Sequence, residues 1–231
     1  MTTQLKKTLV FVALFGILAL IALNLPLVQL TGSKVKFTAF DAFSPIAGAF
    51  LGSIPGIVAV FLAEIVNFLI HGAKILDAGT IIRFFPILFA TFYFAKPRKI
   101  NFLIPLLAII AFNLHPIGRS AWQFSLFWLI PIVMEFFREK NLLARALGAT
   151  FTAHSVGGAL WVWTFGLSKT IWLSLIPVVA IERGIFALGI CATYLAMNNI
   201  LAVLDNRKIV NAKNLINENF VWGKLIRSPL S

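Results

Sequence analysis

Acidic residues are scarce in this chain: eight Asp and Glu stand against twenty Lys and Arg among 231 residues, for a net charge of +12. Charge of either sign occupies only 12% of positions, about half of what a soluble domain carries. There is a single cysteine, Cys191, inside an apolar run, so no disulfide forms within the chain and the redox compartment is not recorded in it. Catalytic signatures are missing as well: H-E-x-x-H, G-x-S-x-G, the Walker A sequence and a cysteine pair do not occur. The histidines His71, His115 and His154 lie on three separate segments without metal-ligand spacing. These absences argue against an enzyme and imply no metal and no cofactor. They also mean that any active transport draws its energy from a partner or an ion gradient.

What is present is apolar sequence, 60% of the chain. Several runs approach or exceed the roughly 20 residues needed to cross a hydrocarbon core about 30 Å thick. They do not alternate polar and apolar residues as barrel strands do. The fold class expected is all-α, a polytopic transmembrane helix bundle of six to seven spans in the cell membrane. A strongly basic soluble protein would suggest nucleic acid. Here the basic residues sit mostly in loops and the C-terminal tail, where they set topology and meet anionic lipids, so no nucleic-acid partner is expected.

Seven hydrophobic segments can be counted: Leu9–Leu30, Ala42–Ile70 (tilted or broken at Pro55), Thr80–Ala95, Ile100–His115, Ser120–Phe137, Leu142–Phe165 and Ile171–Leu204. The last is too long for one straight crossing and is expected to begin as an interfacial turn before Pro177. The first follows Lys6 and Lys7 like a signal peptide, but no A-x-A-like site comes after it, and it reads as a retained span. Residues 1–204 therefore form one bundle, and Asp205–Ser231 is a cytoplasmic tail, amphipathic and suited to the inner leaflet or to a partner. One set of alternating connections holds Lys34, Lys36, Lys96, Arg98, Lys99, Arg138, Lys140, Arg145 and five basic residues after Leu204. The other holds Lys6, Lys7, Lys74, Arg119 and Lys169, a division of 13 against 5. That bias places the C-terminus in the cytoplasm and, with seven spans, the N-terminus outside.

Polar residues inside spans are costly and face the bundle interior or a wet cavity. Glu64, Asn67 and His71 fall at i, i+3 and i+7 on one helix face. Arg83, Trp161, His154 and Glu182 lie at the same outer level or somewhat deeper, which suggests a small-molecule pocket reached from outside. Trp161, Trp163 and Trp172 fit equally well as interface anchors. Glu182 and the adjacent Arg183 point about 100° apart on a helix and need not pair with each other. Glu135 is placed to snorkel or to pair with Arg138 at i+3. Gly48, Gly52 and Gly56 are spaced at i, i+4 and i+8, a smooth face for close helix contact within the chain or with a partner.

Phe40-Asp41, the small-residue run Ala47-Gly48-Ala49-Phe50-Leu51-Gly52-Ser53-Ile54-Pro55-Gly56, and Glu64 with Asn67 resemble the second span of substrate-binding S-components of energy-coupling factor (ECF) transporters. The resemblance covers roughly a third of the chain. It implies a small bundle that captures a vitamin or related micronutrient from outside and works with a membrane coupling subunit and two cytoplasmic ATPases. It also implies that small-residue helix faces, here Gly48, Gly52 and Gly56, contact the coupling subunit, and that the loop after the first span helps cover the substrate. Such subunits generally have six spans and a cytoplasmic N-terminus, at odds with the charge count above. Under this reading Arg83 holds an anionic group, Trp161 stacks on a ring, and Glu64 or Glu182 accepts hydrogen bonds. Two other readings stay open: an ion-coupled secondary transporter or channel with Glu64, His154 and Glu182 as a proton relay, and an intramembrane enzyme centred on His115, Arg119 and His154.

Overall fold

The computed structural model describes residues 15–29, 36–71, 78–210 and 212–223. It is all-α, about 78% helical, with one two-stranded antiparallel hairpin. Helix α1 covers residues 15–23, and the hairpin follows as β1 (Pro26–Gln29) and β2 (Lys36–Thr38). The expected first span to Leu30 therefore ends earlier than its hydropathy suggests: Pro26 cannot continue a helix, and Val28 and Gln29 pair with Phe37 and Lys36.

The larger correction concerns Ala42–Ile70. It is not one helix broken at Pro55. Helices α2 (Phe40–Phe43) and α3 (Ile46–Leu51) end at Gly52, whose φ of +90° suits a residue without a Cβ, and α4 (Ser53–His71) starts directly after it. The chain folds back there. In a continuous helix Gly48 and Gly56 would be about 12 Å apart at 1.5 Å per residue. Instead, a Cβ built on Gly56 would lie 2.9 Å from the Gly48 Cα and from the Ala47 carbonyl. Farther from the turn, Thr38 shares a cavity wall with Glu64 and Phe68. The pairings 47 with 56 and 38 with 64–68 are those of an antiparallel hairpin. Gly48, Gly52 and Gly56 thus do not form a single helical face. Gly48 packs against the Thr91 carbonyl, Gly56 against α3, and Gly52 makes the turn. Pro55 sits in the first turn of α4, where its missing N–H costs nothing.

The third segment is two helices, α5 (Ala78–Arg83) and α6 (Pro86–Ala95), parted because Pro86 opens the second. Helix α7 (Ile100–Leu114) agrees with expectation. The fifth segment is not continuous: after the short α8 (Pro116–Ser120), which precedes it, α9 (Trp122–Ser125), a 3₁₀ turn (Leu126–Trp128) and α10 (Leu129–Glu135) share its length. Helix α11 (Leu142–Thr164) is the centre of the bundle and touches α5, α6, α7, α10 and α12. Its buried residues are mostly Ala, Gly, Ser and Thr, so neighbouring helices approach closely. Helix α12 (Lys169–Asn206) runs unbroken through Pro177, so no separate interfacial turn forms; its 38 residues span about 57 Å. Ser53–Ile70, Ala78–Ala95 and Lys169–Asn206 are long and apolar enough to cross a membrane, while Phe40–Leu51, Ile100–Leu114 and Trp122–Glu135 are shorter apolar helices.

The described part of the tail forms no amphipathic helix beyond a 3₁₀ turn at Glu218–Phe220. It is held against α12 by two buried asparagines that pair with its backbone as another strand would. Asn198 donates to the Asn217 carbonyl at 3.0 Å and accepts from its N–H at 2.8 Å. Asn199 donates to the Phe220 carbonyl at 3.0 Å and accepts from the Trp222 N–H at 2.9 Å. At the same end, Glu135 accepts from the Arg98 N–H, Asn101 Nδ2 and Arg138 Nη1, so the buried pair with Arg138 is the i+3 contact expected.

The glycine positions separate packing from backbone cost. Gly56→Ala is expected to destabilise the protein by about 1–3 kcal/mol through overpacking. Gly184, in the interior of α12 with open space at its Cβ position, is expected to gain up to about 1 kcal/mol as Gly184→Ala. Denaturation of both variants in the same detergent checks the contrast, and equal shifts would contradict the fold-back at Gly52.

Candidate functional site: two cavities meeting at Arg83

The site begins at the end of the hairpin. Asp41, in the first turn of α2, accepts at Oδ2 from the Thr38 N–H at 2.8 Å and from Arg83 Nη2 at 3.0 Å. The carboxylate therefore ties β2 to the last residue of α5. The Phe37 ring is contacted by two guanidinium groups, Arg83 at 5.2 Å from the ring centroid and Arg183 at 4.5 Å. Each such contact contributes about 0.5–2 kcal/mol depending on desolvation. Arg183 also faces Phe186 and donates to Thr150 Oγ1 at 3.4 Å and to Glu182 Oε2 at 2.8 Å. The adjacent Glu182 and Arg183 do pair: their long side chains bend across the angle that separates their Cα–Cβ directions.

Below this junction is a cavity of about 140 Å³, lined by Arg83, His154, Trp161 and Glu182 together with Asp41, Phe37 and Trp172. One water needs roughly 10–15 Å³ on the same measure, so the space suits a small organic molecule. His154 comes from the middle of α11, and Gly157 and Gly158 one turn later line the same cavity. Its Nδ1 accepts from Trp128 Nε1 at 3.0 Å, which leaves Nε2–H as the donor of a neutral ring. The imidazole is boxed by Phe124 at 5.4 Å, Phe151 at 6.2 Å and Phe127 at 6.4 Å. Trp161 lies against Phe165 with ring centroids 4.2 Å apart. Trp172 is buried between Phe112 and Phe124, and its indole N–H has no hydrogen-bond partner.

A second cavity, of about 170 Å³, lies on the other side of Arg83. Glu64 and Asn67 line it from α4, Lys36 and Thr38 from the hairpin, and Thr80 from α5. Asn67 also accepts from Asn24 at 3.4 Å. Of the seven residues expected to form one pocket, four line the first cavity and three, Glu64, Asn67 and Arg83, line the second; only Arg83 is common to both. His71 is the last residue of α4, and its side chain lies outside the described residues. The interhelical glycines Gly48, Gly52 and Gly56 take no part in either cavity.

Asp41, Phe37, Thr38 and Trp128 complete the site without having been singled out for it. For Asp41 a signal existed, since it stands beside Phe40 at the head of the segment that carries Glu64. The contacts of Phe37, Thr38 and Trp128 depend on tertiary structure and leave no spacing to read. The constellation of His115, Arg119 and His154 does not assemble. His115 caps α8 by accepting from the Ile117 N–H at 3.2 Å and packs on Trp163, Arg119 is exposed, and His154 is bound to Trp128. Among the described residues no group of three His, Cys, Asp or Glu side chains is placed to hold a metal ion.

Compared with known proteins, the chain matches no family model, no curated protein and no solved structure.

Asp41 and Arg83 are mostly buried, so a double-mutant cycle of Asp41→Asn and Arg83→Gln is expected to give a coupling of about 0.5–3 kcal/mol. Hydrogen exchange at Phe37 and Thr38 is expected to accelerate in both single variants. Unchanged exchange there would mean that the hairpin is held without the ion pair.

Proposed function

We propose that this chain is a membrane-embedded substrate-binding subunit similar to the S-components of ECF importers, taking a small molecule, such as a vitamin, from the outer face of the cell membrane. The observation that carries this reading is the first cavity. Three residues chosen from the sequence for their cost inside a membrane, Arg83, His154 and Glu182, and one chosen as an aromatic wall, Trp161, come from α5, α11 and α12 to one space, and the hairpin after α1 covers it with Phe37. An aromatic wall with a few convergent polar groups is the composition of a small-molecule site.

The fold-back at Gly52 also supports a revised topology. Ser53 Oγ accepts from Arg98 Nη2 at 3.1 Å, so the turn lies level with the basic loop 96–99. The extra reversal moves Lys34 and Lys36 to the outer set and Lys6 and Lys7 to the inner set. The division stays 13 against 5, and now both termini are cytoplasmic. The cytoplasmic N-terminus is the arrangement that the resemblance implies, while the extra reversal turns the seven segments into eight against its six. Under this reading the protein binds and releases without transforming its ligand, and a coupling subunit and ATPases supply the energy. Because Gly48 and Gly56 are packed inside the chain, the coupling subunit would meet a different face, and the exposed apolar side of α12 around Ile181, Ile185 and Leu188 is available.

The relay reading is less well served, since His154 and Glu182 spend hydrogen bonds on Trp128 and Arg183 and Glu64 lies in the other cavity. Thermal-shift measurements across a vitamin panel, with purification from cells to identify bound subunits, test the proposal. Expected are stabilisation by one compound, its loss in Trp161→Ala, and ATPase subunits in the purified complex. Liposomes containing this chain alone should show no flux driven by a pH gradient; such flux would replace this reading with the relay.

A further inference from the structure

Four carboxylates lie within the bundle, and three are provided for. Asp41 has Arg83 at 3.0 Å, Glu135 has Arg138 at 3.0 Å and Glu182 has Arg183 at 2.8 Å. The fourth, Glu64, is not. Glu64 and Glu135 make the comparison direct, because each is 7% exposed. Both oxygens of Glu135 accept hydrogen bonds, three in all, from Arg98, Asn101 and Arg138. Glu64 Oε2 is buried without a hydrogen-bond partner. It lines the second cavity, and so does Thr38, whose hydroxyl oxygen is likewise buried and unpartnered. Two unmet polar atoms from different elements, α4 and the hairpin, thus border the same space of about 170 Å³. Leaving them so costs free energy that a bound donor would recover.

The charges around this space define the donor. Arg83 borders it, but its guanidinium is engaged by Asp41, and the two charges offset each other. Lys36 is the other cation on the wall; it is exposed and makes no ion pair with Glu64. The buried part of the cavity therefore holds one carboxylate whose charge is not matched within hydrogen-bond reach. Around it stand further oxygens, those of Thr38, Thr80 and Asn67. A primary or secondary ammonium group supplies two or three N–H donors and a positive charge, which is what one carboxylate with neighbouring hydroxyl and amide oxygens accepts.

We propose that the cavity of Glu64 and Thr38 is a subsite for the cationic nitrogen of a ligand whose aromatic body lies in the neighbouring cavity of His154, Trp161 and Trp172. Arg83, which borders both cavities, marks where the two parts of the ligand join. This extends the proposed substrate-binding role by giving the substrate a class: a small aromatic amine. Arg83 is then a positioning residue held by Asp41, rather than the anchor for an anion that the sequence suggests.

The test uses the purified full chain in detergent micelles and three compounds that share one ring system: tryptamine, indole-3-propionate and 3-ethylindole. Thermal shift and calorimetric titration are run for the wild type, Glu64→Gln and Thr38→Val. Expected for the wild type is tryptamine binding at least tenfold tighter than either of the others, with that preference abolished in Glu64→Gln and reduced in Thr38→Val. Glu64→Gln keeps the shape of the side chain and removes the unmatched charge, so its ligand-free melting temperature should equal or exceed that of the wild type. This separates lost recognition from lost folding. Infrared difference spectra on adding tryptamine should show the Glu64 side chain as carboxylate in the complex, by bands absent in Glu64→Gln. Binding of the neutral or anionic indole as tightly as tryptamine would overturn the subsite and leave the aromatic cavity intact as a binding site. Binding of none of the three overturns the subsite and counts against the substrate-binding role as well. Stabilisation by sodium chloride over choline chloride, lost in Glu64→Gln and without a tryptamine effect, would reassign the cavity to an alkali ion and overturn the amine.

Discussion

The Asp41–Arg83 ion pair is the contact on which the arrangement of the site depends. One carboxylate oxygen receives both the guanidinium and the Thr38 N–H, so the hairpin, the start of α2 and the end of α5 are fixed by a single group. Remove the arginine and Phe37 loses one of the two cations that contact its ring; remove the aspartate and a guanidinium is left mostly buried with its charge uncompensated. In a low-dielectric interior either loss is far larger than the same change at a surface. The hairpin is therefore seated over the cavities by this ion pair together with Phe37, whose ring packs edge-on against Phe186 at 5.5 Å.

Beneath it the bundle is built on small residues. The fold-back at Gly52 brings α3 and α4 together without side chains between them, Gly48 admits the Thr91 carbonyl of α6, and Gly158 lies flat beneath Trp128, where a Cβ would stand 2.6 Å from the ring. The close approach at Gly158 matters for the site, because Trp128 is the donor that fixes His154. Packing and chemistry are linked along α11: the same stretch that supplies Gly148, Thr152 and Ser155 to the core supplies His154 to the cavity.

The helical class and the apolar stretches were legible from composition and run length alone, because a bilayer-length apolar segment has few other uses. Break points were less so. Run length read through Pro86, which opens α6, and through Pro26, which follows the end of α1, although each proline carried the signal. Pro55 pointed to the wrong place, since a proline in the first turn of a helix breaks nothing and the reversal is made by Gly52 three residues earlier. Glycines at i, i+4 and i+8 describe a face only if the helix is continuous, and the left-handed φ at Gly52 has no signature that distinguishes it from a helical glycine. For the site, the intramembrane charge rule picked out Arg83, His154 and Glu182 because each is costly where it stands. It missed the division into two cavities, since that depends on Asp41 engaging Arg83 across 42 positions of sequence.

The shortage of acids that marks the composition has a structural counterpart. Of the eight Asp and Glu residues, Asp41, Glu135 and Glu182 are committed to arginines inside the bundle and Glu64 lines a cavity. Half of the acidic residues are thus withdrawn from the loops. The loops are left overwhelmingly basic. Among the interior acids the absence of an arginine paired with Glu64 stands out, because each of the other three acids inside the bundle has one.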